Sequence, residues 1–69
     1  MVYVFKTSIQ YKKQIKDISK NLNEINEIKK WNFDLEDCDN ILRIVAETDI
    51  TSSVYEIFDA LNYSCIELE

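Results

Sequence analysis

The chain opens on alternation. Tyr3, Phe5, Thr7 and Ile9 share one face of an extended segment, and Val2, Val4 and Lys6 share the other. These β-branched and aromatic residues predict a strand over 2–9. From Tyr11 the period changes. Ile15, Ile18, Leu22 and Ile25 recur at spacings of three, four and three, which predicts an amphipathic helix over roughly 11–25. Trp31, Phe33 and Leu35 then alternate with Asn32 and Asp34, a second strand over 29–36. Glu36-Asp37-Cys38-Asp39-Asn40 is a polar turn between two strand-like runs and reads as a hairpin. Asn40 is the residue there best able to take a positive φ. Ile41 to Glu47 forms the third strand. Thr51 is placed to cap a second helix, whose stripe is Val54, Ile57, Phe58 and Leu61. Ser53 to Glu56 offers an alternative capping box. Asn62 is expected to end that helix in a left-handed turn. Ser64 to Glu69 alternates again, with Ile66 and Leu68 expected toward the core.

The order β-α-β-β-α-β predicts an α+β, ferredoxin-like sandwich. Two right-handed crossovers joined by a hairpin give a four-stranded antiparallel sheet of order 4-1-3-2, with both helices on one face. One domain is expected to span 1–69. If Tyr3, Phe5, Trp31, Phe33, Leu42 and Ile44 face the helices, then Val2, Val4, Ile41 and Val45 lie side by side on the outer face, which Cys65 and Glu67 are expected to share. Scattered apolar surface is ordinary, but a contiguous group marks a contact with a second copy or another protein.

Composition narrows the functional classes. Sixty-nine residues with 46% apolar content suffice for one core. Gly and Pro are both absent, so turns rest on Asn, Asp and Ser. No apolar run approaches the ~20 residues of a membrane span. The first residues carry no basic lead and no small-residue cleavage site, so a cytoplasmic protein is expected. Two cysteines without CxxC spacing suit a reducing compartment. There is no histidine, which removes the commonest general base and metal ligand. Ser52, Ser53, Thr51 and Tyr63 are hydroxyls with nothing to activate them, so no enzyme is expected.

Net charge is −5, which disfavours nucleic acid and anionic membranes. The charge is uneven. Residues 1–33 hold seven of the eight basic side chains and three acids, a net of +4. Residues 34–69 hold Arg43 and ten acids, a net of −9. Lys12, Lys16 and Lys20 recur at i, i+4 and i+8, with Lys13 beside them; they form either a solvated face or a docking surface for an acidic protein.

Cys38 and Cys65 are the remaining candidates for metal or redox chemistry. In the proposed order they sit on opposite sheet edges. Three strand spacings of ~4.8 Å put them about 14 Å apart, and a disulfide needs Cα atoms within ~7 Å. Each therefore reads as an isolated thiol. Asp34, Glu36, Asp37 and Asp39 partly match a Ca²⁺ loop, but its glycine and distal glutamate are missing, so a solvated turn is the better reading. No phosphate-binding glycine loop supports a ligand-sensing domain.

Two segments carry a family resemblance. Ile9-Gln10-Tyr11-Lys12-Lys13-Gln14, followed by a helix and Glu27-Ile28-Lys29-Lys30-Trp31-Asn32-Phe33-Asp34-Leu35, resembles the M-x-C-x-x-C, helix, G-V-x-x-V-x-V-D-L succession of heavy-metal-associated domains, the copper-chaperone-like fold. Ala60-Leu61-Asn62-Tyr63 is similar to the small-apolar-Gly-Tyr ending of that family's second helix. In the family the two loop cysteines bind copper, zinc or a similar soft ion. Here those positions are Tyr11 and Gln14, and neither is a thiolate. The resemblance implies the fold, and the departure at Tyr11 and Gln14 leaves no cofactor and no metal expected at that loop. It also implies a protein partner reached through the lysines beside it. The alternative is a copper or zinc binder using non-standard ligands, Cys38 and Cys65 among them.

Overall fold

Six elements follow one another in a computed structural model that describes residues 1–35 and 40–68. They are β1 (Val2–Thr7), α1 (Lys12–Asn23), β2 (Ile28–Asp34), β3 (Ile41–Ala46), α2 (Thr51–Ala60) and β4 (Cys65–Leu68). The sheet order is β2-β3-β1-β4, the predicted order read from the other edge, and every pairing is antiparallel. The ferredoxin-like sandwich is therefore present. Residues 36–39, with Cys38 and most of the acidic turn, lie outside the described residues.

Alternation places the core. Tyr3, Phe5, Leu42 and Ile44 are buried against Ile18 and Leu22 of α1 and Val54 and Phe58 of α2. Ile9, Ala46 and Ile50 complete the buried cluster. Trp31 and Phe33, opposite Ile44 and Leu42 on the β2 edge, lie on the same side and stay half-buried. Trp31 Nε1 donates to Asn23 Oδ1 at 3.0 Å, which satisfies its one polar atom at the end of α1. Its ring meets Phe33 edge-on at 6.0 Å.

Without glycine, two asparagines take the left-handed positions. Asn40 has φ 51° and Asn62 has φ 61°, as predicted. At Asn62 the end of α2 is a full Schellman turn: Tyr63 N donates to Phe58 O at 2.8 Å and Asn62 N to Asp59 O at 3.1 Å. The start of α2 departs from expectation. Ile50, not Thr51, is the capping position, and Thr51 is the first helical residue. The acceptor is Asp49, whose Oδ1 takes the Thr51 backbone N–H at 2.9 Å. Its bonds with Thr51 hold the Asp49 carboxyl below its ordinary pKa. Ser53 lies inside the helix and caps nothing.

β4 corrects a second expectation. Leu68 pairs with Val4 and Ile66 with Lys6, so both apolar side chains share the outer face. Cys65 and Glu67 pair with Thr7 and Phe5 on the helix side. Strand alternation says which residues share a face but not which face is inward. That choice is made by the chain's entry from the Asn62 turn. Ser8 N donates to Ser64 O and Ser64 N to Ser8 Oγ, both at 3.0 Å, which fixes the strand's phase.

Candidate functional site

The loop before α1 is built around two side chains. Thr7 is buried at the end of β1; its hydroxyl donates to Asn40 O at 2.6 Å and accepts from Ile9 N at 3.2 Å. This ties the start of the loop to the end of the β2–β3 hairpin and seats Ile9 in the core. Tyr11 then takes the capping position, extended at φ −129°, and its backbone oxygen accepts from Gln14 N at 3.0 Å. Gln14 closes the turn from the other direction. Its Oε1 accepts from Gln10 N at 2.8 Å and Tyr11 N at 3.0 Å. One amide oxygen thus takes two backbone donors. A signal for this role was present in the sequence, a glutamine three residues after the capping position. Tyr11 itself points its ring to solvent, 65% exposed.

The donor chemistry at these positions does not fit a soft ion. Tyr11 offers a phenol oxygen, a hard donor in place of the soft sulfur such an ion prefers. The Gln14 oxygen is occupied by two N–H groups, and its amide nitrogen is a donor. Among the described residues, no group of three or more His, Cys, Asp or Glu is placed to hold a metal. Cys65 stands apart, half-buried beside the core opposite Thr7. Burial first, and then the charge of Asp59, push its pKa up to about 12. It is a neutral thiol at pH 7, a poor ligand and a poor nucleophile. Cys38 lies outside the described residues.

The architecture has solved counterparts. It matches the yeast copper transporter domain CCC2A, studied in apo and Cu(I)-loaded states, with a TM-score of 0.81 over 99% of this chain and 94% of that one, at 14% identity. It matches the N-terminal domain of ZntA in its Zn(II) form at 0.82, over 99% and 92%, also at 14% identity. The fold is that of the heavy-metal-associated domains. The apo heavy-metal-associated domain of the copper chaperone for superoxide dismutase matches at 0.76 with 10% identity, over 99% of this chain and 66% of that one. No family model and no curated protein matches the sequence.

On this heavy-metal-associated fold two surfaces remain as candidates. Lys12, Lys13, Lys16 and Lys20 are all exposed on α1, and no ion pair engages them among the described residues. Lys12 and Lys13 open the helix, where the macrodipole is positive and basic side chains are locally unfavourable. The one acid of α1, Asp17, accepts from the Tyr63 hydroxyl at 3.3 Å. Burial and then that carboxylate raise the Tyr63 pKa.

The second surface is the outer sheet face, and it differs from the expectation. Val2 is 64% exposed, Val4 and Val45 are half-buried, and Ile41 is buried at 4%. Ile41 sits on a central strand between Lys6 and Asp34, whose side chains flank it on both sides. Ile66 and Leu68 take its place as exposed apolar residues, at 62% and 38%. The apolar stripe therefore runs from Val45 and Val2 through Val4 to Leu68 and Ile66. Among the described residues, no helix is long and apolar enough to cross a membrane.

Proposed function

We propose that this chain is a non-enzymatic interaction domain on a heavy-metal-associated fold, in which the metal loop has become a helix cap. One observation carries the reading: Gln14 Oε1 accepts from both Gln10 N and Tyr11 N, so the position aligned with a metal-binding cysteine holds α1 in place instead. The absence of histidine and the neutral state of Cys65 support the loss of metal handling. Two exposed surfaces support work through protein contacts in the cytoplasm. The lysines of α1 suit an acidic partner, and the stripe around Val2, Val4 and Val45 suits a second copy or an apolar partner.

Titration with Zn²⁺ and with Cu⁺ under reducing conditions tests the first half. The expected result is no saturable uptake at micromolar metal. Saturable uptake abolished by Cys38→Ser with Cys65→Ser overturns it in favour of metal binding through non-standard ligands. Sedimentation at rising concentration tests self-association. Association that Val4→Lys abolishes supports the sheet face, and a strict monomer untouched by Val4→Lys removes it.

A further inference from the structure

The outer sheet face is divided. Its β1–β4 side is apolar at Val2, Val4, Leu68 and Ile66, with Lys6 at its far end. Its β2–β3 side carries Lys30, Asn32, Asp34 and Arg43, with Lys30 opposite Val45 and Asn32 opposite Arg43. Where the two sides meet, Val2 and Val45 form a floor below these polar groups. Together with the edge of Trp31 they enclose a hollow of about 300 Å³. That volume stands at the lower bound of ~300–1,000 Å³ for small-molecule sites. Its lining is two valines and a tryptophan, two cations and one amide, with no carboxylate. Arg43 meets its nearest acid, Asp34, at a long 3.7 Å from outside the lining, and no ion pair engages Lys30 among the described residues. On a chain of net charge −5, this is a cationic, apolar-floored recess.

We propose that this hollow binds a small monocarboxylate with an apolar body. Lys30 and Arg43 meet the carboxylate as charge-assisted donors, with the Arg43 guanidinium able to engage it through two N–H groups. The Asn32 amide adds a donor, and the apolar body lies on Val2 and Val45. A second copy is the poorer occupant. In a two-fold contact centred on the hollow Lys30 and Arg43 meet their own copies, and the one acid of this face among the described residues, Asp34, already engages Arg43. The proposal is independent of what occupies the loop before α1.

The test is titration of the isotopically labelled full chain with 4-methylpentanoate, 4-methylpentanamide and 4-methylpentylamine, followed by backbone amide shifts. The acid is expected to give saturating shifts at Val2, Lys30, Asn32, Arg43 and Val45. The neutral amide is expected to bind about tenfold more weakly, and the amine not to bind. Lys30→Gln and Arg43→Gln, both surface changes, should each weaken the acid several-fold while leaving the rest of the spectrum in place. Shifts spread equally over the α1 lysines overturn the proposal, since they report unspecific anion attraction. Equal binding of acid and amide overturns it too. So does concentration-dependent shifting of the same amides without any ligand, which assigns the face to a second copy.

Discussion

Truncating Gln14 should lower the stability of this domain measurably, although it is not itself a core residue. Its Oε1 accepts from the N–H of the capping residue Tyr11 and from that of Gln10 just before it, which pins the chain where it enters the helix. Gln14→Ala removes both bonds and leaves Gln10 N and Tyr11 N to water. Loss of a side-chain cap costs about 1 kcal/mol, within a range of ~0.5–2. Alanine returns a few tenths through its higher helix propensity, so a net loss of about 0.5–1 kcal/mol is expected. For a domain of 60–100 residues each ~1 kcal/mol moves Tm by about 4–8 °C, so thermal melts by circular dichroism resolve it. Gln14→Glu supplies the same acceptor with a charge in the favourable sense of the helix dipole, worth ~0.3–1 kcal/mol. At pH 7 it should match or exceed the parent, and fall toward the alanine variant once the pH drops below the carboxylate range. Exchange of the Gln10 and Tyr11 amides should quicken in Gln14→Ala alone. A melt unchanged by Gln14→Ala, or lowered equally by Gln14→Glu, would refute the capping role and with it the account of why this loop holds no thiolate.

Three further outcomes follow from the geometry. Tyr55 reaches across the sheet edge, where its hydroxyl accepts the outward-facing Glu67 N–H at 3.1 Å while its ring stays edge-on to Phe5 at 6.1 Å; Tyr55→Phe should cost about 1 kcal/mol, speed Glu67 amide exchange, and raise β4-mediated self-association, read by sedimentation velocity. Asn62→Ala should destabilise by about 1 kcal/mol, because alanine tolerates φ near 60° less well, while Asn62→Gly should be neutral or stabilising; urea midpoints compare the two. Cys65 has a folded pKa raised from 9.0 to about 12, so its contribution is fully present below pH 9 and is lost as pH rises from there toward 12; in a Cys38→Ser background, iodoacetamide at pH 8 should label it slowly until denaturant opens the fold.

The alternation of strands and the stripes of helices are local properties, and they were legible. Tyr3, Phe5, Ile18, Leu22, Leu42 and Ile44 could be placed inward because a period of two or of 3.6 admits one buried face. Asn40 and Asn62 could be named because a chain without glycine has few residues able to hold a positive φ. That the loop before α1 offers no thiolate was legible, since a phenol and an amide stand at Tyr11 and Gln14.

The phase of β4 was not legible. Four alternating residues state which side chains travel together, but only the Ser8–Ser64 bonds and the Asn62 turn decide that Ile66 and Leu68 face out. The burial of Ile41 was equally out of reach, because shading on an open sheet face depends on neighbours from other strands. The hollow between Val2, Val45, Lys30 and Arg43 joins residues separated by up to 43 positions and exists only once β1, β2 and β3 are in register. The sequence by itself determined the elements, the core faces of β1, β2, β3 and the two helices, and the lack of a thiolate at Tyr11 and Gln14, because these depend on a residue and its near neighbours. The tertiary structure alone decided which surfaces remain open to a partner, because exposure is settled by what packs alongside.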